Sequence, residues 1–356
     1  MKFAIIGYGG MGNFHREKAF ERYNSVVSDD KAILAGIYDI SPEREEFARG
    51  LGIRVFSSAE EIWNDKSIEA VVIATPNDMH KPYVIAAAKA GKHIVVEKPA
   101  AMDLSEIREM YDAAEEAGVK LSAHQNRRWD DDFVTVKNIV DSGMLGKTYR
   151  IESRVMGANG IPGSWRKNAS QGGGMMMDWG VHLIDQMLQF VKAKVVSVYC
   201  DYSYRLGEEV DDGFALEVKF DTGLTYRVVV DTNCFVSLPR WQIYADDGTL
   251  AITNWHNFMV EGKMLRCLIR HDDKLVGVDA GNGFTKTMAT RRSETVEELP
   301  IEVIRGDKTA FYREFVKAVR EGCDTPITRG EMERVFKVME LAKKSAELGE
   351  VMKETF

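Results

Sequence analysis

The chain has 356 residues, of which 45% are hydrophobic, 29% are charged and 10% are aromatic. This balance is typical of a globular protein and excludes a fibrous or largely disordered chain. The formal net charge of −8 disfavours nucleic acid and anionic membrane surfaces as partners. With about 150 residues per domain as a guide, the length predicts two domains.

The four cysteines lie far apart and show neither a C-x-x-C pair nor the spacing of a zinc site. They are Cys200, Cys234, Cys267 and Cys323. This pattern is typical of reduced thiols in the cytosol. The apolar run near the N-terminus is too short for a signal peptide, and no apolar stretch approaches about 18 residues. We therefore expect a cytoplasmic protein that needs no metal ion.

The first 123 residues alternate short apolar runs with longer helix-compatible segments. Short apolar runs bounded by glycine, proline or charge are typical of buried parallel strands. The predicted strands are Phe3–Ile6, Ala32–Ile37, Ile53–Phe56, Ala70–Ala74, His93–Val96 and Val119–Ala123. The predicted helices include Ser41–Leu51, His80–Ala90 and Leu104–Ala117. Ser58 and Glu61 predict a capping box at a further helix start. The alternation predicts an α/β fold with a doubly wound parallel sheet.

Beyond Arg128 the pattern changes to long consecutive strands. Helices are predicted at Asp132–Ser142, Met175–Val191, Lys308–Glu321 and Gly330–Leu348. Strand-like runs are Thr148–Met156, Val195–Tyr204, Phe214–Phe220, Leu224–Thr232 and Trp241–Ala245. Short turns between such strands predict a large, open, mostly antiparallel sheet with one covered face. We therefore expect one domain over residues 1–123 and an α+β domain over residues 124–356, whose last helices pack back.

The segment Gly7-Tyr8-Gly9-Gly10-Met11-Gly12 fits the G-x-G-x-x-G motif of dinucleotide-binding proteins. In this motif the first glycine permits a tight turn, the second lets a pyrophosphate approach the backbone, and the third allows close helix packing. The free N–H groups of the following helix face the phosphates. The alternative is a turn that merely needs glycine. The order of strand, glycines, helix and second strand favours a nucleotide site.

Asp39 ends the second predicted strand, where a carboxylate can accept hydrogen bonds from the ribose hydroxyls of adenosine. It lies 27 residues after Gly12, somewhat more than the usual distance of about 20. A carboxylate there repels a 2'-phosphate, so it predicts NAD rather than NADP. Arg44 could favour NADP instead, although a solvated position in the first turn of a helix is the other interpretation.

Polar residues also follow two later strands. The run Glu97-Lys98-Pro99 comes after the fifth predicted strand, at the edge where an open α/β sheet binds its ligand. The Lys98 ammonium could stabilise a developing alkoxide there, and an ordinary surface lysine is the alternative. Thr75 and Asn77 could contact the cofactor, whereas His80 could equally be a residue that starts a helix.

The helix candidate over Met175–Val191 carries a narrow polar stripe on an otherwise apolar surface. Its members are Asp178, His182, Asp185, Gln186 and Gln189. A stripe that faces water is the alternative, but the absence of lysine and glutamate from it favours a site. A histidine can accept a proton near neutral pH, and a carboxylate one turn away can orient it or bind a substrate hydroxyl.

These motifs together resemble the glucose-fructose oxidoreductase, inositol dehydrogenase and MocA (Gfo/Idh/MocA) family, over essentially the whole chain. The motifs are Gly7 to Gly12, Thr75-Pro76-Asn77 with His80, Glu97-Lys98-Pro99, and Gly172-Gly173-Gly174 followed by Asp178 and His182. The resemblance implies an N-terminal Rossmann domain, a C-terminal substrate and oligomerisation domain, and an NAD(P)-dependent oxidoreductase acting on CH–OH groups. It also implies a homo-oligomer, either a dimer or a tetramer.

The resemblance implies roles for particular residues. Lys98 would contact the reacting oxygen, Asp178 would hold the substrate, and His182 would be the general acid/base. The residues expected to bind substrate are Lys98, Arg127, Asn159, Asp178 and His182. Those expected to bind the cofactor NAD are Gly7, Gly9, Gly10, Met11, Gly12, Asp39, Thr75, Asn77, His80, Glu97, Lys98, Trp165 and Arg166.

The leading prediction is an NAD-dependent dehydrogenase that oxidises a ring secondary hydroxyl. The expected substrate is a sugar, a glycoside oxidised at its 3-position, or an inositol-like cyclitol. One alternative is an NAD(P)H-dependent reductase of a keto-sugar. Another is a non-catalytic NAD-binding sensor, against which the presence of Lys98, Asp178 and His182 argues.

Overall fold

The computed structural model describes residues 1–163, 165–256, 259–269, 278–279, 282, 285–286 and 293–356. The strands are β1 (Lys2–Ile6), β2 (Ile33–Tyr38), β3 (Ala70–Ile73), β4 (His93–Val96), β5 (Leu121–Ala123), β6 (Thr148–Met156), β7 (Val195–Ser203), β8 (Gly213–Phe220), β9 (Thr225–Asp231), β10 (Trp241–Ala245), β11 (Gly248–Asn254), β12 (Glu261–Cys267), β13 (Val278–Asp279), β14 (Thr285–Lys286), β15 (Val296–Leu299) and β16 (Met352–Lys353). The α-helices are α1 (Gly10–Phe14), α2 (Glu21–Val26), α3 (Pro42–Gly50), α4 (Ala59–Asn64), α5 (His80–Lys89), α6 (Leu104–Glu116), α7 (Asp131–Asp141), α8 (Val181–Phe190), α9 (Ala310–Glu321) and α10 (Arg329–Leu348).

Five of the described strands form a parallel sheet in the order β2-β1-β3-β4-β5. All four residues of β3 are buried, as expected for a strand with both faces covered. The strand order reverses between β1 and β3, and open α/β sheets bind ligands at such a point. The predicted doubly wound sheet is confirmed.

Two local predictions in this half are wrong. Ile53–Phe56 is not a strand, because it pairs with β2 only through the bridge between Ile37 and Val55 before the chain turns into α4. The capping box is also absent. Ser58 is the residue before α4, but its side chain makes no cap hydrogen bond, and Glu61 instead accepts a hydrogen bond from Ser57.

The second sheet has nine described strands in the order β15-β12-β11-β10-β6-β9-β8-β7-β16. Its pairs are antiparallel except for β6 and β9, which lie side by side in parallel. Buried residues alternate with more exposed ones along β9, which confirms a sheet with one covered face. Strands β11, β12 and β15 were not predicted. In β12 only Met264 is buried, so its sequence carries little hydrophobic signal.

The segment predicted as one helix over Met175–Val191 is divided. A π-helical turn, Met176–Gly180, precedes α8. This wider turn changes the direction of the side chains before Val181, so the predicted arc from Asp178 to Gln189 does not run along one regular helix.

Helix α9 packs against the first sheet although it lies near the end of the chain. The rings of Tyr312 and Phe315 contact Phe3, and Tyr312 also contacts Phe20. The part of the chain that the structure describes has no helix with both the length and the hydrophobicity needed to cross a membrane.

Candidate active site

A cavity of about 770 Å³ lies at the carboxyl edge of the parallel sheet. The segments that follow β1, β2, β3 and β4 all contribute to its wall, because parallel strands end at the same edge. Residues from these segments that line it include Gly7, Gly9, Gly10, Met11, Asp39, Thr75, Asn77, Glu97 and Lys98. Trp165 and Arg166, from the second half of the chain, also line the cavity.

The glycines after β1 play different parts in the structure of the turn. Gly7 has a φ of +87°, and a Cβ atom there would lie 2.5 Å from the carbonyl oxygen of Ala74. A Cβ atom on Gly12 would overlap the carbonyl oxygen of Gly7. A Cβ atom on Gly9 would meet no protein atom within 4 Å, so this side of the turn is open to the cavity. This is the space that a pyrophosphate needs to approach the backbone.

The cavity wall contains polar atoms that a dinucleotide could satisfy. Thr75 Oγ1 and Asp78 Oδ1 are buried and have no hydrogen-bond partner among the described residues. Both residues line the cavity. Buried polar groups normally have partners, so these two atoms fit a bound polar ligand. Together with the open turn at Gly9, they fit a nicotinamide dinucleotide.

Asp39 follows β2 and lines the cavity. Its carboxylate accepts hydrogen bonds from the backbone N–H groups of Tyr8, at 2.5 Å, and Ser41, at 2.8 Å. These bonds fix the carboxylate against the glycine turn. Arg44 lines the same cavity, so the residue that could favour NADP is also present.

His80 and Asn77 form hydrogen bonds that connect the segments around the cavity. The His80 ring is fully buried, with Nδ1 2.8 Å from the carbonyl oxygen of Pro99 and Nε2 3.0 Å from that of Thr75. Backbone contacts therefore occupy both ring nitrogens, and His80 does not line the cavity. Asn77 does line it, and its amide donates to the carbonyl oxygen of Gly172 at 2.8 Å.

Lys98 and Asp178 are 80 residues apart in the sequence and form an ion pair. The Lys98 Nζ atom lies 2.7 Å from Asp178 Oδ1 and also donates to the Asp178 carbonyl oxygen at 3.0 Å. Arg166 Nε lies 3.6 Å from the other carboxylate oxygen. Burial raises the pKa of Asp178, but Lys98, Arg166 and Arg127 outweigh this and hold the pKa below its ordinary value. Asp178 is therefore ionised at neutral pH.

His182 is buried beside this ion pair, with 4% of its surface exposed. Its Nδ1 atom lies 3.1 Å from the amide oxygen of Gln125. An amide oxygen only accepts hydrogen bonds, so Nδ1 carries the proton and Nε2 has the free lone pair. Burial lowers the pKa of His182 well below its ordinary value, and the Lys98 and Arg127 cations lower it further. The ring is therefore neutral and can accept a proton.

In the rest of the predicted stripe, Asp185 and Gln186 are buried and paired, whereas Gln189 is partly exposed and donates to Glu331 at 2.9 Å. Asp185 forms a two-point ion pair with Arg128 at 2.6 and 2.8 Å. Gln186 donates to the carbonyl oxygen of Arg127 and accepts from Arg240, both at 2.9 Å. These side chains attach α8 to the segment after β5 and do not belong to the reacting centre.

Arg127 and Asn159 have different surroundings. The Arg127 guanidinium pairs with Asp130 at 2.8 Å and stacks 4.2 Å above the Trp179 ring. Trp179 lies in the π-helical turn, and its ring is 6.3 Å from that of His182. Asn159 is exposed and does not line the cavity.

Sequence reasoning missed Gln125 and the buried groups around Glu97. Gln125 follows β5 and is 1% exposed, and no short motif marks it. Glu97 contacts His15 and His124, which come from other elements. Only a signal for long-range pairing could have found these contacts.

Comparison with known proteins identifies the family. A model of an oxidoreductase family with an NAD-binding Rossmann fold matches residues 1–125, and a model of the GFO/IDH/MocA C-terminal domain matches residues 133–251. The chain belongs to the Gfo/Idh/MocA family. This confirms the resemblance and the prediction of an NAD(P)-dependent oxidoreductase acting on CH–OH groups.

The relatives of this Gfo/Idh/MocA protein include enzymes for both nicotinamide cofactors. Scyllo-inositol 2-dehydrogenase (NADP(+)) of Bacillus subtilis is 30% identical over 97% of this chain and 94% of its own. Scyllo-inositol 2-dehydrogenase (NAD(+)) of the same organism is 30% identical over 55% of this chain and 56% of its own. A solved structure of an NAD-binding protein from Listeria innocua has a TM-score of 0.85 and 34% identity, covering 99% of this chain and 96% of that one.

Proposed function

We propose that this protein is an NAD-dependent dehydrogenase that oxidises a ring secondary hydroxyl of a sugar, a glycoside or an inositol-like cyclitol. The observation that carries the proposal is the meeting of Lys98 and Asp178 beside His182, next to the cofactor cavity. This arrangement combines a neutral imidazole that can take the hydroxyl proton, a cation that can stabilise the alkoxide and a carboxylate that can bind a further hydroxyl.

His182 is the proposed general base. Its neutral ring can take the hydroxyl proton on Nε2, while Gln125 holds the ring through Nδ1. The lowered pKa of His182, caused mainly by burial, keeps this nitrogen unprotonated at neutral pH. In the reverse direction the protonated ring would return the proton to the alkoxide.

Lys98 is proposed to stabilise the negative charge that develops on the substrate oxygen. Its ammonium lines the cavity and is held in place by Asp178. Asp178, ionised by its neighbours, can accept a hydrogen bond from a second hydroxyl of the substrate. A bound nicotinamide would supply the hydride acceptor, and Trp165 and Arg166 would border it.

The preference for NAD rests on Asp39, whose fixed carboxylate would repel a 2'-phosphate. Arg44 in the same cavity and the relative named for NADP(+) support the opposite preference. Because the Asp39 carboxylate is hydrogen-bonded directly to the glycine turn through the Tyr8 N–H, we favour NAD.

The ring polyol substrate is supported by two relatives named scyllo-inositol 2-dehydrogenase. The residues around His182 also suit a polyol, because Asp178, Lys98 and Arg127 offer charged hydrogen-bonding groups beside the Trp179 ring. Glycosides oxidised at the 3-position and inositols are the candidates within this class.

The protein is also proposed to form a homo-oligomer in the cytoplasm. The nine-stranded sheet carries exposed aromatic side chains, including Tyr149 and Tyr199. The four cysteines are unpaired, as is typical of a reducing compartment. Light scattering coupled to size-exclusion chromatography would measure the oligomeric state.

The proposed function is tested by an assay of glucosides, inositols and keto-sugars with NAD and NADP, followed by NADH or NADPH absorbance. We expect oxidation of at least one ring polyol with NAD. Binding of NAD without turnover of any polyol or keto-sugar would contradict the proposal and favour a non-catalytic NAD-binding protein.

A further inference from the structure

A second set of titratable groups lies behind the reacting centre, fully inside the protein. Glu97 Oε1 lies 2.8 Å from Nε2 of His15 and 2.7 Å from Nδ1 of His124. Nδ1 of His15 in turn lies 2.6 Å from the Tyr312 hydroxyl. The side chains of Glu97, His15 and His124 are at most 5% exposed. We call these four residues the Glu97 network.

The protons of the Glu97 network can be assigned from its geometry. The Tyr312 hydroxyl donates to Nδ1 of His15, so Nε2 of His15 carries a proton and donates to Glu97. His124 donates to the same oxygen through Nδ1. The other carboxylate oxygen accepts the backbone N–H of Lys98 at 3.1 Å. Hydrogen bonds thus account for all the short distances between these groups.

These donors keep Glu97 ionised inside the protein. Burial alone raises the pKa of Glu97, but His124 and His15 outweigh it and hold the pKa well below its ordinary value. Burial lowers the pKa of His15, with His124 adding to the effect, so His15 is a neutral donor. The network therefore contains a fixed negative charge, and Glu97 also lines the cofactor cavity.

The Glu97 network joins parts of the chain that are far apart in sequence. His15 begins the turn after α1, Glu97 follows β4, His124 follows β5, and Tyr312 belongs to α9. Lys98 and Gln125 are the next residues after Glu97 and His124. The network thus fixes the two backbone positions that present Lys98 and Gln125 to the reacting centre.

We propose that His15, His124 and Tyr312 are positioning residues that hold Glu97 as a fixed anion, and that this anion determines how readily His182 accepts the substrate proton. The inference rests on the proposed role of His182 as the base. Among the described residues, the groups whose charge acts on His182 are Lys98, Arg127, Glu97 and His124, and Asp178 pairs with Lys98.

The balance of charge around His182 explains why this anion matters. Burial lowers the pKa of His182, and the cations Lys98 and Arg127 lower it further. Glu97 raises it, and His124 offsets part of that effect. Gln125, which contacts the ring directly, is a neutral amide and supplies no negative charge. Without the charge of Glu97, His182 would be a weaker base next to two cations.

The test replaces Glu97 by Gln, which keeps its size and removes its charge. In Glu97→Gln we expect the basicity of His182 to fall about tenfold or more, equivalent to one pKa unit. The acid limb of kcat/KM for alcohol oxidation should then move to lower pH, with a lower plateau. Histidine ¹³C NMR, assigned with His182→Asn, should show the same direction for the His182 titration without any substrate.

A matched pair of tyrosine variants isolates the network from general packing. Tyr312→Phe removes the hydroxyl that donates to His15. Tyr23→Phe removes a hydroxyl whose hydrogen bond within the described residues goes to the Asp30 carbonyl oxygen. The two rings are neighbours, with centroids 6.4 Å apart. We expect Tyr312→Phe alone to lower kcat/KM, about fivefold, as for the loss of one buried hydrogen bond.

The variants test the role of the Glu97 network, and the wild-type turnover tests the proposed function. A folded Glu97→Gln protein with an unchanged His182 titration and an unchanged acid limb would overturn the inference. If Glu97→Gln does not fold, equal effects of Tyr312→Phe and Tyr23→Phe would overturn it, and an effect of Tyr312→Phe alone would support it. Absence of turnover in the wild type would contradict the proposed function instead, and the NMR titration would still test the effect of Glu97 on His182.

Discussion

The cofactor cavity and the reacting centre are adjacent, but they are built differently. The cavity is lined by the glycine turn and by side chains such as Asp39 and Arg44. It has free space at Gly9, and polar atoms of Thr75 and Asp78 have no partner among the described residues. At the reacting centre, side chains are paired with one another, as Lys98 is with Asp178. Open space at the glycine turn and the charge of Asp39 therefore govern the first region, whereas ion pairing governs the second.

This difference has a practical consequence for variants. A change in the cavity should alter cofactor affinity or folding, whereas a change at the reacting centre should alter turnover. Measuring both quantities for each variant tests whether the two regions are independent.

The largest expected effect is that of His182→Ala on turnover. Loss of the base should lower kcat by about 10² to 10⁴-fold. The NAD affinity should stay close to that of the wild type, because His182 does not line the cavity. Calorimetric titration with NAD and steady-state kinetics provide the two measurements. A variant with wild-type turnover would remove His182 from the mechanism.

In the glycine turn, Gly12→Ala and Gly9→Ala should separate an effect on stability from an effect on NAD binding. A Cβ atom on Gly12 overlaps the Gly7 carbonyl oxygen, so Gly12→Ala should cost about 1–3 kcal/mol of unfolding free energy. Gly9→Ala meets no protein atom, so its stability should be unchanged. It should weaken NAD binding about tenfold or more, because the added Cβ atom occupies the space through which the pyrophosphate approaches the backbone.

Denaturant unfolding and NAD titration of both glycine variants provide the comparison. Gly10→Ala is a suitable control for stability, because its Cβ atom also has no protein neighbour within 4 Å. Equal loss of stability in Gly9→Ala and Gly12→Ala would show that the turn is not open as described.

Asp39→Ala should change which cofactor is preferred. Removal of the carboxylate ends its repulsion of a 2'-phosphate, and the ratio of kcat/KM for NAD to that for NADP should fall about tenfold. Arg44 remains in the cavity and would favour the phosphate. A wild-type protein that strongly prefers NADP would contradict our interpretation of Asp39.

The smallest expected effect concerns Asp211, which supports the start of the π-helical turn before α8. Its carboxylate accepts the Met176 N–H at 2.8 Å, and burial raises the pKa of Asp211 to about 7. Because this value lies above the unfolded value of about 4, the contribution of Asp211 to stability falls as pH rises from about 4 to about 7.

Asp211→Asn keeps an acceptor for the Met176 N–H and removes the titration. We expect the melting temperature of the wild type to decline more between about pH 5 and about pH 8 than that of the variant. Parallel pH profiles of the two proteins would show that Asp211 does not titrate in this range.

Short sequence motifs predicted those features of the protein that are set by residues within a few positions of one another along the chain. The turn from Gly7 to Gly12 was recognisable because Gly7 and Gly12 are sterically required by nearby backbone and Gly9 leaves open space for a ligand. The positions of Asp178 and His182 were also suggested by spacing within one segment. The family comparison confirms the fold class, whereas the roles of these residues stay predictions.

Other features depend on partners that are far away in sequence. The contact of His15 with Tyr312 spans 297 residues. The assignment of Ile53–Phe56 as a strand was wrong because hydrophobicity does not show how many residues of a segment pair with a neighbouring strand. Here the pairing is a single bridge between Ile37 and Val55. The π-helical turn before Val181 was missed because its sequence resembles that of an ordinary helix.

The parallel pairing of β6 with β9 limits the order in which the second sheet can assemble. Parallel neighbours cannot be joined by a hairpin, so the connection between them must cross the sheet, and it includes α8. Both sheet neighbours of β6, namely β9 and β10, are synthesised after it. Pairing over such a long sequence separation slows folding. Because α8 precedes β9 and β10 in the chain, β6 has no sheet neighbour to pair with until His182 and its helix have been synthesised.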